Sequence, residues 1–305
     1  MRLRREPDIE VKTPPQLAAM REAGLVVARA LRAAAAAVTP GISTAGLDAV
    51  AAAELRAAGA TPSFLGYHGY PATICVSVND EIVHGIPAAG RQIRAGDVVS
   101  IDCGAIVRGW HADAALTVAA GEVSAGQARL IRDCEQALWH GLAQARPGAS
   151  LSDISHAVER YVRSAGVYGI VEDYVGHGIG TQMHMDPAVP NRGRPGRGPV
   201  LAAGMALAIE PLLTLGAPGT RLLADGWTVV TADGSTAAHF EHTVAITAAG
   251  PWALTAEDGG AAAFAALAAG QVAGAAGQPA GAAGQPAGAA GPVAGAAGAG
   301  AGSER

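Results

Sequence analysis

Aromatic residues make up only 4% of this 305-residue chain, and cysteine occurs three times. The apolar fraction is still 50%. Alanine supplies much of it, and alanine buries little area per residue, so the figure overstates the core. Cys75, Cys103 and Cys134 are too few for a disulfide framework and favour a reducing compartment. A basic excess is also missing: the net charge of -5 and a pI near 6.0 give no electrostatic footprint for nucleic acid. The basic start Arg2-Leu3-Arg4-Arg5 has no apolar stretch behind it, so no secretory leader is expected. The longest uncharged stretch follows Asp258 and is broken by Gly, Pro and Gln, which argues against a membrane span. These absences leave a cytoplasmic protein with neither nucleic-acid nor membrane partners.

From Gly259 to Gly302 the chain is nearly all Ala, Gly, Pro and Gln, with Ala-Gly-Gln-Pro-Ala-Gly-Ala recurring between Ala276 and Ala289. Few of these side chains can offset the entropy of ordering, so residues 256–305 are expected to be a disordered tail behind one folded domain, 1–255. Within that domain a repeat is visible. Pro40-Gly41-Ile42-Ser43 followed by Leu47 and Gly59 lines up, at constant separation, with Pro147-Gly148-Ala149-Ser150 followed by Ile154 and Gly166. In each copy a helical stretch (about 16–38 and 124–146) runs into Pro-Gly, and a serine then stands where an N-cap belongs. Asp153 completes a capping-box pattern behind Ser150. Each second helix is expected to stop at its glycine. Short β-branched runs read as strands: Ile74–Val78, Val98–Cys103, Leu116–Val118, Met205–Ile209, Thr228–Thr231 and His239–Ile246. Several adjoin through short turns, which predicts an α+β fold with antiparallel strands and helices on one side.

The carboxylates within these apolar runs carry the chemistry. Asp102 ends Val98-Val99-Ser100-Ile101, and Asp113 follows Trp110-His111-Ala112. A hairpin turning about Val107-Arg108 would set the two acids directly opposite. Like charges facing each other on one sheet face repel, and burying both without a cation costs several kcal/mol. His177 in Gly176-His177-Gly178, Glu210 behind Met205–Ile209 and Glu241 in His239-Phe240-Glu241-His242 add to the set. One imidazole with four carboxylates is too acidic for structural zinc. Mixed O and N donors suit Mn, Fe, Co or Zn, and four carboxylates match the charge of two divalent ions, a hydrolytic device.

Further motifs stand in order along the chain: Val83-His84-Gly85-Ile86-Pro87, Ser100-Ile101-Asp102, Trp110-His111-Ala112-Asp113, the Gly176–Gly180 run, Met183-His184-Met185-Asp186-Pro187, Ile209-Glu210-Pro211 and Phe240-Glu241-His242-Thr243. In these the chain resembles type I methionine aminopeptidases of the pita-bread metallopeptidase fold, over about residues 10–250. It implies two pseudo-symmetric halves, a curved antiparallel sheet covered by helices on one side, and removal of initiator methionine when the second residue is small. Two divalent ions (Co, Mn, Fe or Zn) would activate the water that attacks the first peptide bond. Asp102 would chelate one ion, Asp113 and Glu241 would bridge both, and His177 and Glu210 would complete the other. Glu210 would also take the proton from the water, and His184 would stabilise the oxyanion. His84 would position the scissile peptide. Phe64, Tyr67, Tyr70, Cys75, Met183 and Trp227 match the walls of a methionine slot, where a thioether finds an apolar, sulfur- and aromatic-rich surface.

The same resemblance implies nascent polypeptide N-termini as substrates, transient ribosome association and a monomer. Ala112 and Ala114 depart from the family pattern, in which a glycine and a hydroxyl residue commonly flank the aspartate. A proline-directed relative is the nearest rival, but those enzymes usually carry an extra N-terminal domain. A dinucleotide role for Gly176–Gly180 is not expected, because no strand–glycine–helix unit surrounds it.

Overall fold

The computed structural model describes residues 9–270. Helix α1 (Pro14–Ala36) starts behind Thr13 with prolines in its first turn, where a missing N–H costs nothing. Helix α2 (Thr44–Ala57) is capped by the Ser43 hydroxyl, which accepts from Gly46 N at 3.1 Å. Short strands β1 (Thr61–Pro62), β2 (Ile74–Val78) and β3 (Glu81–Val83) lead to the long hairpin β4 (Val98–Val107) and β5 (Trp110–Ala119). A second helix pair follows, α3 (Ala125–Leu142) and α4 (Leu151–Ala165), with Asp153 accepting from Ser150 N at 2.8 Å. The rest is mostly strand: β6 (Gly169–Ile170), β7 (Gly176–Gly178), β8 (Met185–Val189), β9 (Ala206–Ile209), β10 (Leu212–Thr214), β11 (Thr220–Leu222) and β12 (Val229–Thr231). The last elements are β13 (Ala237–His239), β14 (Glu241–Thr247), β15 (Gly250–Ala253) and α5 (Ala261–Ala268).

The main sheet runs β1-β4-β5-β14-β9-β7-β8, with β2 on β4 and β15 on β14, and all of its pairings are antiparallel. Two smaller sheets, β13-β10-β6 and β11-β12-β3, flank it. One apolar cluster joins α1 and α2 to β2, β4 and β5. A second joins α3 and α4 to β9 and β14. The halves repeat each other in detail. Gly41 N donates to Ile93 O (2.8 Å) as Gly148 N does to Leu201 O (2.9 Å), and Ser43 bridges Gln92 as Ser150 bridges Val200. This is the α+β architecture with related halves expected from the sequence. Tight packing seats α1: a Cβ on Gly24 would stand 2.2 Å from Leu254 O.

Three expectations need correction. Val107 pairs with Trp110, so the hairpin turns on Arg108-Gly109, both at positive φ (52° and 81°) as a two-residue primed turn requires. Asp102 therefore lies opposite Ala115, and Asp113 opposite Gly104. The two acids remain on one face as diagonal rather than direct neighbours. Second, the run His239–Ile246 is not one strand. It breaks at Phe240, so that β13 and β14 belong to different sheets. Third, the ordered chain continues past Thr255. Arg21 donates to Leu254 O (2.6 Å) and Glu257 O (2.6 Å), and Phe264 of α5 packs edge-on against Trp139 at 5.7 Å. The rest of the predicted tail, from 271 onward, lies outside the described residues.

Candidate metal centre and substrate cavity

Strand alternation aims the acids into one cavity of about 320 Å³ on the sheet face away from α1–α4. Asp102 and Asp113 come from the β4–β5 hairpin, His177 from β7, Glu210 from the end of β9 before Pro211, and Glu241 from the start of β14. All five line the cavity. Donor atoms of Asp113, His177 and Glu241 fall within 4.8 Å of one another, as do those of Glu210, His239 and Glu241. His177 Nε2 stands 3.9 Å from Glu210 Oε1. Ala112 and Ala114 point the other way, into the core beneath α1 and α2, so the departures beside Asp113 leave its carboxylate free to face the cavity.

The electrostatics of this cluster suit a cation. Asp102 Oδ1, Asp113 Oδ1 and Glu241 Oε1 are buried without hydrogen-bond partners. Burial first, then the neighbouring carboxylates, pushes Asp102 and Glu241 well above the usual carboxylate range. Burial raises Asp113 to about 7, and burial with Asp113 raises Glu210 to about 8. Burial, then His184, lowers His177 to about 4, which keeps its imidazole neutral and able to ligate. Unpaired acceptors of this kind, with one neutral nitrogen among them, fit a divalent-ion site.

Beside the acids lies an apolar slot. Phe64, Tyr70, Cys75 and Met183 are buried together, with Tyr67 and Trp227 packed against them. The Tyr70 ring meets Phe64 edge-on at 6.5 Å and Trp227 at 5.1 Å. Its hydroxyl donates out of the slot, to Gly85 O at 3.0 Å, so the ring alone faces the cavity. His84 sits at φ 59°, a left-handed conformation that costs free energy outside glycine and clusters at functional positions. Its ring packs on Tyr174 at 5.6 Å and on Trp227 at 6.3 Å. Tyr67 Oη lies 2.9 Å from His184 Nδ1.

A profile described as "Metallopeptidase family M24" matches residues 18–248. The chain belongs to metallopeptidase family M24. It is 53% identical to methionine aminopeptidase 1 of Mycobacterium tuberculosis, over 83% of this chain and 97% of that relative. It is 48% identical to methionine aminopeptidase 1 of Bacillus subtilis, over 78% and 96%. Among solved structures, the methionine aminopeptidase of Thermotoga maritima superposes with a TM-score of 0.80 at 41% identity, covering 81% of this chain and 99% of that one. The prolidase of Pyrococcus furiosus, at 22% identity and a TM-score of 0.64, shares the fold. Membership of M24 implies use of a divalent metal, and the donor set described above accommodates one. Among the described residues, no helix is long and apolar enough to cross a membrane.

Sequence reasoning assigned no role to two polar residues of this M24 cavity: Tyr174 and His239. His239 was legible only as a residue two places before Glu241, on the same alternation. Tyr174 precedes the glycine–histidine run by two. The run Tyr67-His68-Gly69-Tyr70-Pro71, whose residues resemble walls of the methionine slot, also brings His68 to the cavity lining, at positive φ (48°).

Proposed function

We propose that this M24 chain removes the N-terminal methionine of nascent polypeptides whose second residue is small, with two divalent ions held by Asp102, Asp113, His177, Glu210 and Glu241. The observation that carries this reading is the contact between an acid-rich cluster with orphaned oxygens and an apolar slot. Bound ions of this kind polarise a carbonyl and lower the pKa of water toward neutrality.

The protein's own groups do the rest. Asp102, Asp113, His177, Glu210 and Glu241 would hold the ions. The slot takes the methionine side chain, and one misplaced methylene costs such a pocket about 1–3 kcal/mol of discrimination. Glu210 lines the cavity beside the other donors and accepts the proton of the attacking water at its carboxylate. His84 orients the scissile peptide from its strained backbone position. His184 donates from Nε2 to the oxygen that gains charge as the peptide bond is attacked. The Tyr67 hydroxyl, donating to Nδ1, selects the tautomer in which Nε2 carries the proton. A nascent-chain substrate further implies a cytoplasmic monomer in transient contact with the ribosome.

The test is release of methionine from a Met-Ala peptide by the full chain, abolished by a chelator and restored by Mn, Co, Fe or Zn. An Ala-Pro peptide should be left intact. Absence of turnover with every one of these metals sinks the reading.

A further inference from the structure

The two halves share a strand register as well as their helices. In the first, Val98 pairs with Ala119, Ser100 with Thr117 and Ile101 with Leu116. In the second, Ala206 pairs with Ala245, Ala208 with Thr243 and Ile209 with His242. Overlaying these pairs puts Asp102 on Glu210, both of them donors. Two steps further, Gly104 pairs with Asp113 in the first half, and Leu212 pairs with His239 in the second. The residue equivalent to Asp113 is therefore His239.

The equivalence extends to how each backbone is held. The Thr243 hydroxyl accepts from Asp113 N (2.9 Å) and donates to Asp113 O (2.8 Å). The Thr117 hydroxyl, its counterpart, accepts from His239 N (2.9 Å) and donates to His239 O (2.7 Å). Each half thus uses a threonine from the other to fix one inward-facing residue at the centre of the sheet. In the first half that residue is a carboxylate; in the second it is an imidazole.

The imidazole is buried (2% exposed), and its Nε2 has no hydrogen-bond partner. It faces Glu241 Oε2 at 3.6 Å and Glu210 Oε2 at 3.9 Å. These distances exceed those of N–H···O hydrogen bonds. Two donors that share an ion at about 2.0–2.2 Å stand roughly 3–4 Å apart. The spacing equals that between His177 Nε2 and the other oxygen of Glu210, also 3.9 Å.

We propose that His239 is a sixth donor of the metal centre, a second imidazole that stands in the latter half where Asp113 stands in the former. The proposal rests on the cavity being a divalent-metal site, as above. An added neutral nitrogen brings no further negative charge and biases the centre toward Fe, Co and Zn over Mn.

The full chain, stripped of metal and reloaded with Mn(II) alone, permits a direct count of coupled imidazole nitrogens by pulsed electron paramagnetic resonance. Two nitrogens are expected in the wild type. One should remain in His239→Ala and one in His177→Asn. If His239→Ala fails to fold, the wild type and His177→Asn still decide. A single nitrogen in the wild type, lost entirely in His177→Asn, overturns the sixth donor while leaving the metal centre intact. Failure of the wild type to bind Mn(II) at all overturns the centre and the sixth donor together. Co(II) titration supplies a second readout: His239→Ala should lose at least about tenfold in affinity for Co(II) and less for Mn(II), and equal losses count against the proposal.

Discussion

Tyr67 and His184 are joined by a 2.9 Å contact between the phenol oxygen and Nδ1, at the rim where the apolar slot meets the acids. The phenol is a donor at neutral pH, and burial pushes its pKa further up. With the phenol donating to Nδ1, as in the proposed mechanism, the imidazole proton resides on Nε2. Tyr67→Phe keeps the ring against the slot but frees the tautomer. A net hydrogen bond is worth about 0.5–1.5 kcal/mol, so kcat for a Met-Ala peptide should fall about 2- to 12-fold with little change in KM. A change confined to KM would place the hydroxyl in substrate binding instead.

Helix boundaries were legible because their signals are local: Pro-Gly, then a serine whose hydroxyl or capping box satisfies free N–H groups. The hairpin register was not. It depends on Arg108 joining Gly109 at positive φ, and arginine gives no sign of that conformation. The donors from the hairpin, β7, β9 and β14 and the six slot residues were named from motifs, and they converge on one cavity. His239 escaped because none of the motifs that carry the resemblance gives it a role, although alternation sets it on the face of Glu241. Helix α5 was equally hidden: its alanines read like the rest of the Ala/Gly-rich sequence, and the contact that fixes it is Phe264 on Trp139.

Gly24 tests how closely α1 must approach the sheet. A methyl group added there would stand 2.2 Å from a backbone oxygen, Leu254 O, and 2.7 Å from Leu254 C, neither of which can swing aside. Helix propensity alone would favour Gly24→Ala by about 0.5–1 kcal/mol. Overpacking costs about 1–3 kcal/mol and should win. Thermal unfolding of the variant should occur at lower temperature than that of the wild type. A rise in the midpoint would show that α1 shifts without penalty.

Cys75 bounds the slot beside Asp102, which it neighbours across β2 and β4. Its thiol is buried, and burial with the Asp102 charge raises its pKa well above normal, so it acts as a small apolar wall. Cys75→Leu extends that wall into the space proposed for the thioether. At about 1–3 kcal/mol for overpacking, kcat/KM for a Met-Ala peptide should drop about 5- to 150-fold while Mn(II) binding by calorimetry is retained. Unchanged turnover would remove Cys75 from the slot.

Glu135 on α3 reports on a second cavity, about 370 Å³, between α1 and α3 on the helix side of the sheet. Burial raises its carboxyl to about 7 from an ordinary 4.5. The folded pKa exceeds the unfolded one, so the folded state binds the extra proton. The stabilisation is complete below about 4.5 and is lost as pH climbs through 7. Above that pH the ionised carboxylate burdens the fold, and Glu135→Gln removes the burden. One pKa unit corresponds to about 1.4 kcal/mol, so the variant should exceed the wild type in stability by about 1–3 kcal/mol at pH 8. The advantage should shrink steadily toward pH 5. Urea unfolding of both proteins at pH 5, 6, 7 and 8 reads that difference, and one that stays flat across the range would mean that the carboxyl is solvated in solution.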